Sequence, residues 1–181
     1  MKFRLNISIT FDDYCKFNEF QALRHPFGKK QILKNRIVTV AALCGLAFLS
    51  IMVEGFTAEA FLTRIPLFVA VGVFAFFIPK IIMLMLRQQL KSMKKQGKLG
   101  YSPKAVMEFY DDCFIETTPD NKTEQKYTSV ENVFAVDGKY VYIFINNLMA
   151  YIIPRSSFES VGQYNDFLSF LEARCGQVNY Y

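Results

Sequence analysis

The sequence predicts an α+β membrane protein. A two-helix transmembrane hairpin precedes a cytoplasmic antiparallel β-sandwich or open barrel, which a C-terminal helix closes. Three observations lead to this class. The chain is 52% apolar, and most of the excess falls in residues 37–53 and 65–86. Residues 105–153 read as short strands separated by turn residues. One amphipathic helical pattern then follows.

The two apolar runs predict membrane spans. Ile37–Val53 contains no charged residue and would cover roughly 25 Å as a helix, close to the hydrocarbon thickness of about 30 Å. Ile65–Leu86 would cover roughly 33 Å. The alternative is a pair of buried core helices, which a chain of 181 residues rarely accommodates. Pro79 is tolerated in a membrane helix as a kink, and Lys80 can extend toward the headgroups.

Cationic residues flank the outer ends of the hairpin and predict its orientation. No acidic residue lies between Glu19 and Glu54, or between Glu59 and Glu108. Because cationic flanks are retained on the cytoplasmic side, both termini are predicted to be cytoplasmic. Anionic headgroups are the predicted contacts of these cations. They are Lys29, Lys30, Lys34, Arg36, Lys80, Arg87, Lys91, Lys94, Lys95 and Lys98.

The segment before the hairpin predicts a strand and a helix. Phe3–Ile9 alternates apolar and polar residues, as a half-buried strand does. Thr10 and Asp13 are spaced as a capping box for a helix that ends near Leu23. An apolar signal-peptide region is not expected at the start of the chain. Residues 1–31 are therefore predicted to be cytoplasmic and to dock on the C-terminal domain.

Six strands and one helix are predicted after the hairpin. Asp137-Gly138 is the strongest hairpin signal. Ser156 and Glu159 are spaced as a capping box, and Gly176 suits the helix C-cap. Strands closed by one helix resemble the pleckstrin-homology-like arrangement, to which Phe3–Ile9 would add a seventh strand. The predicted strands are Ala105–Tyr110, Cys113–Thr118, Glu124–Tyr127, Val130–Val136, Tyr140–Ile145 and Met149–Ile153.

The segment YTSVENVFAVDGKYVYIFINNLMAYIIPRSSF, residues 127–158, resembles the C-terminal domain of the YcxB-like family of bacterial membrane proteins. The matching positions are Tyr140, Tyr142, Ile143, Phe144, Tyr151, Ile152, Ile153, Pro154, Arg155 and Phe158. The resemblance implies a short cytoplasmic segment, two transmembrane helices and a C-terminal domain. This order agrees with the residues, which predict a hairpin over 32–96 and a cytoplasmic domain over 101–176. The resemblance also implies a bacterial plasma membrane. It carries over no catalytic or ligand-binding residue.

Patterns of catalytic residues are scarce. His25 is the one histidine, and the acidic pairs Asp12-Asp13 and Asp111-Asp112 suit a helix start and a turn. The sequence has no phosphate-binding glycine motif and no cysteine pair at zinc-ligand spacing. We therefore expect no enzyme activity, no cofactor, no metal and no nucleic acid. The cations adjoin the apolar runs, which favours lipid over nucleic acid.

The predicted partner surface lies on a strand that is apolar on both faces, and it consists of Tyr140, Tyr142 and Phe144. Three alternatives remain for what covers this surface: the N-terminal helix, a protein partner or second copy, or lipid. The sequence predicts a non-enzymatic, membrane-anchored interaction or scaffold module. The alternative function is a subunit of a small oligomeric transporter or channel.

Overall fold

The computed structural model of the chain describes residues 1–55, 57–97 and 99–181. The chain forms two compact units. The sheet unit contains Met1–Asn18 and Lys98–Tyr181, and the hairpin unit contains Glu19–Gly97. The hairpin unit is therefore inserted in the sequence of the sheet unit.

The structure is α+β, as predicted. Four helices occur among the described residues: α1 (Phe11–Leu23), α2 (Pro26–Glu54), α3 (Ala58–Lys95) and α4 (Val161–Cys175). The first sheet contains β1 (Phe3–Ser8), β2 (Lys104–Phe109), β3 (Cys113–Thr117) and β4 (Lys122–Lys126), antiparallel in that order. The second sheet has the order β7-β6-β5-β8 and contains β5 (Asn132–Val136), β6 (Tyr140–Phe144), β7 (Ala150–Pro154) and β8 (Val178–Tyr180).

All six predicted strands after the hairpin are present, each with bounds that differ by one or two residues. The strand predicted from Phe3–Ile9 is also present as β1, and it pairs with β2. A strand that the sequence did not indicate, β8, runs parallel to β5. The second sheet is therefore mixed rather than purely antiparallel. Val178–Tyr180 is too short for strand alternation to be recognised.

Phe167 lies at the centre of the sheet unit's core. Its ring centroid is 5.3 Å from that of Phe3, 4.8 Å from that of Phe109 and 5.2 Å from that of Phe158. The side chain is completely buried, as is Leu171 one turn later on α4. The apolar face of α4 thus fills the space that the strands leave between them, where each large side chain contributes about 1.5–3 kcal/mol by burial.

The start of α1 confirms the predicted capping box. The Thr10 amide donates to Asp13 Oδ2 at 2.8 Å, and the Asp13 amide donates to Thr10 Oγ1 at 3.2 Å. The capping box predicted for α4 is wrong. Ser156 lies in a short 3₁₀ turn, and α4 is capped by Ser160, whose Oγ accepts from the Gln163 amide at 3.1 Å. Gly176 is the C-cap, as predicted, with φ of 90°.

In the hairpin unit, α2 and α3 pack against each other, and Arg64 donates to Ser50 Oγ at 3.3 Å. Both helices are long and apolar enough to cross a membrane. His25 caps α2 by accepting from the Phe27 amide at 3.2 Å. Gly28 allows the close approach of α2 to α1, because a Cβ there would lie 2.0 Å from the Gln21 carbonyl oxygen.

Replacing Phe167 with alanine should lower the free energy of unfolding by about 3–5 kcal/mol, because it leaves a cavity among aromatic rings. Val161→Ala, on an exposed side chain of the same helix, should change it by less than about 0.5 kcal/mol. Denaturant unfolding of the full chain in detergent micelles, followed by near-UV circular dichroism, measures both. Equal effects of the two changes would contradict this description of the core.

Candidate functional site

The predicted partner surface on β6 is largely covered within the sheet unit. Tyr142 and Phe144 are completely buried. Phe17 of α1 packs on both, with ring centroids 5.2 Å from Tyr142 and 5.9 Å from Phe144. Tyr140 is half-buried. The structure therefore corrects the expectation of an open surface at Tyr142 and Phe144. The sequence had left cover by the N-terminal helix as an alternative, and this is what the structure contains.

Asp13 holds the start of α1 against β6. Its Oδ2 belongs to the capping box, and its Oδ1 accepts a hydrogen bond of 2.9 Å from the Tyr140 hydroxyl. Burial and this hydrogen bond raise the pKa of Tyr140 to about 12. The phenol therefore remains a hydrogen-bond donor at neutral pH. One carboxylate thus fixes both the beginning of the helix and its position on the sheet.

A cleft of about 400 Å³ lies in the sheet unit, lined by both sheets and by α1. We call it the sheet cleft. Its walls include Ile7 of β1, Met107 of β2 and Ile152 of β7, all of which are buried apolar side chains. Its polar lining residues are Ser102, Glu116, Thr118, Thr123 and Gln125, with the tyrosines Tyr14, Tyr101 and Tyr151.

The polar lining residues of β3 and β4 occupy the inward face of the first sheet. Glu116 is two residues from the completely buried Phe114, and alternate residues of a strand face the same side. Across the ladder, Thr123 pairs with Glu116 and Gln125 pairs with Phe114. Positions that would extend the apolar core therefore carry a carboxylate, a hydroxyl and an amide.

The burial of the carboxylate changes its acidity. Burial raises the pKa of Glu116 above its usual value of 4.5. Burial, and then the nearby Glu116 charge, raise the pKa of Tyr151, and a hydrogen bond from Gln125 acts in the opposite direction. No lysine, arginine or histidine is among the described residues that line the cleft. The cleft is thus apolar in its walls and negative on one side.

The cations predicted to contact headgroups all lie in the hairpin unit, apart from Lys98, which lies outside the described residues. Arg36 is half-buried and the others are exposed. Arg87 pairs with Glu19 at 3.3 Å, and the Lys80 ammonium lies 5.4 Å from the centroid of the Phe77 ring. The exposed cations are Lys29, Lys30, Lys34, Lys80, Arg87, Lys91, Lys94 and Lys95.

The sheet cleft was not predicted from the sequence. The available signal was the position of Glu116 in the strand alternation, because it follows Phe114 by two residues and so lies on the core side of β3. This position indicates a polar site only once Thr123 and Gln125 are known to pair with the same strand. No cluster of three or more histidine, cysteine or acidic side chains suited to a metal occurs in the described ranges.

The fold and the cleft define a two-unit α+β protein, in which an apolar helical hairpin is inserted into a small two-sheet domain. Residues 109–171 match the family model described as YcxB-like protein. This match confirms the predicted resemblance to the YcxB-like family over residues 109–171. The matched range includes Glu116, Gln125 and Tyr151 of the sheet cleft. Comparison with curated proteins and with solved structures found no match.

The raised pKa of Glu116 predicts that Glu116→Gln stabilises the protein at pH 7. The folded state holds the carboxyl proton more tightly than the unfolded state, so stability falls as pH rises from 4.5 through the folded-state pKa. Glutamine has no ionisable carboxyl group, so the variant does not lose this stability as the pH rises. Thermal unfolding should show a higher midpoint for the variant at pH 7 and no difference below about pH 4.

Glu124→Gln is the matched control, since Glu124 is exposed on the neighbouring strand. Its unfolding midpoint should follow that of the unmodified chain at both pH values. A Glu116→Gln variant that is less stable than the unmodified chain at pH 7 would contradict the burial argument.

Proposed function

We propose that the chain is a non-enzymatic, membrane-anchored interaction module that holds its sheet unit at the cytoplasmic face of a bacterial plasma membrane. The exposure of the two long helices supports this proposal most strongly. Only 11% of the apolar window of each is buried. Val53, Phe76 and Leu46 are examples of their exposed apolar side chains. A core helix of a soluble protein would bury such residues, and a bilayer provides the missing apolar surroundings.

The connectivity supports cytoplasmic termini. β1 and β2 flank the hairpin in sequence and pair with each other through six residues each. The two chain segments that leave the hairpin therefore return to one sheet and to one side of a membrane. The same flanks carry the exposed cations, and lysine and arginine are retained on the cytoplasmic side.

The order of elements supports a pleckstrin-homology-like arrangement for the sheet unit. Four antiparallel strands are followed by a second antiparallel group of three and then by a helix whose apolar face enters the core. In this proposal β8 is an addition to the arrangement. The exposed cations of the hairpin unit would bind anionic headgroups, each contributing about 1 kcal/mol near an anionic surface.

Selective labelling of cysteines tests the proposed topology. In a chain with Cys15, Cys44, Cys113 and Cys175 replaced by serine, Glu59→Cys lies beside the start of α3 and Asn121→Cys lies between β3 and β4. A membrane-impermeant maleimide should label Glu59→Cys in intact cells and Asn121→Cys only after lysis. Labelling of Asn121→Cys in intact cells, or recovery of the chain in the soluble fraction, would contradict the proposal.

A further inference from the structure

We propose that the sheet cleft binds a small amphipathic amine, with its ammonium group against the Glu116 carboxylate and its apolar body along the walls of Ile7, Met107 and Ile145. All lining residues belong to the sheet unit. Binding in the sheet cleft therefore does not require the hairpin to cross a membrane.

The Glu116 carboxylate has no counter-charge among the described lining residues of the cleft. Glu116 is half-buried on the core face of β3, and its carboxylate forms no ion pair or hydrogen bond within the described residues. Charged groups taken out of water are usually paired, because their lost hydration must be replaced. The ammonium group of a ligand would replace the hydration that the Glu116 carboxylate has lost. Glutamine or leucine at this position would fill the same space without the charge.

Further hydrogen-bond acceptors line the cleft together with the Glu116 carboxylate. Tyr151 lines the cleft together with Glu116, and burial and then the Glu116 charge raise the pKa of its phenol. Thr123 pairs directly with Glu116, and the Thr118 hydroxyl also lines the cleft. A primary ammonium has three N–H donors and no acceptor. A carboxylate with neighbouring hydroxyl oxygens can satisfy such a group.

The cleft has the size and the apolar walls that a small amphipathic ligand requires. A volume of about 400 Å³ lies in the usual range for small-molecule sites, about 300–1,000 Å³. Leu148 and Met149 line the cleft although they are 66% and 65% exposed, so they offer apolar surface that the fold itself does not bury. The rings of Tyr14 and Tyr101 lie 4.5 Å apart in the lining. Aromatic faces of this kind attract cations or stack on rings.

The charge of the cleft selects among ligand classes. An anionic ligand would meet the Glu116 carboxylate and no cationic side chain among the described lining residues. A neutral ligand would leave the carboxylate without its counter-charge. The amine is therefore the class that complements both the charge and the apolar walls.

Calorimetric titration of the full chain in lipid nanodiscs tests the proposal, with empty nanodiscs as the reference for partitioning. The probe is phenylbutylamine, compared with the neutral phenylbutanol and the anionic phenylbutyrate. Saturable binding of the amine is expected, with the alcohol at least about tenfold weaker and the carboxylate not bound. Equal affinity for amine and alcohol, or saturable binding of none of the three, would overturn the proposal.

Two variants place the ligand in the cleft. Glu116→Gln should weaken amine binding about tenfold and leave alcohol binding unchanged, because only the charge interaction is removed. Glu124→Gln, on the exposed side of the neighbouring strand, should bind as the unmodified chain does. Unchanged amine affinity in Glu116→Gln would contradict the proposal. The amine–alcohol comparison in the unmodified chain decides the matter without any variant.

Discussion

The pairing of β1 with β2 is the constraint on which the rest of the structure depends. Residues 9–103 lie between these strands, yet Phe3 pairs with Phe109 and Ser8 with Lys104. The entropy cost of closing a loop rises only slowly with its length, so an insertion of this size adds little to the cost of pairing the two strands. That recognition places Leu5 and Ile7 on the inner face of the first sheet, where both are buried.

The same pairing determines what covers the second sheet. Because β1 is fixed beside β2, the chain enters α1 next to β6, and Phe17 packs on Tyr142 and Phe144. Asp13 strengthens this arrangement with its hydrogen bond to Tyr140. A face that would otherwise be open to a partner is thus closed by the segment that leads into the hairpin.

The inner faces of the two sheets have two chemically different regions. Around Phe109, Phe114 and Phe167 the interior is aromatic and closed by α4. Beyond Phe114 the strands β3 and β4 present Glu116 and Thr123 on that same inner side. A charge in such a place costs stability, and proteins retain such costs mainly where function requires them. The cleft therefore has the character of a binding site, while the aromatic region supplies stability.

Most of the fold could be predicted from the sequence, because its signals are local. Alternation identified the strands, Asp137-Gly138 identified a turn, and Thr10 with Asp13 identified the start of α1. The rest depends on distant pairing. The strand β8 gains its partner only from β5, and Ser160 replaces Ser156 as the cap because the chain after β7 first forms a 3₁₀ turn. The cleft could not be predicted for the same reason. The pairing of β3 with β4 is what brings Glu116, Thr123 and Gln125 together on one face.

Cross-linking within the membrane fraction tests the central claim most directly. Asn6 and Val106 lie opposite each other on β1 and β2. In a chain otherwise free of cysteine, Asn6→Cys with Val106→Cys should form a disulfide on mild oxidation, whereas Asn6→Cys with Lys104→Cys should form far less. A disulfide in the first pair alone is the predicted result. No disulfide in the first pair, or equal yields in both, would contradict an inserted hairpin closed by a strand pair.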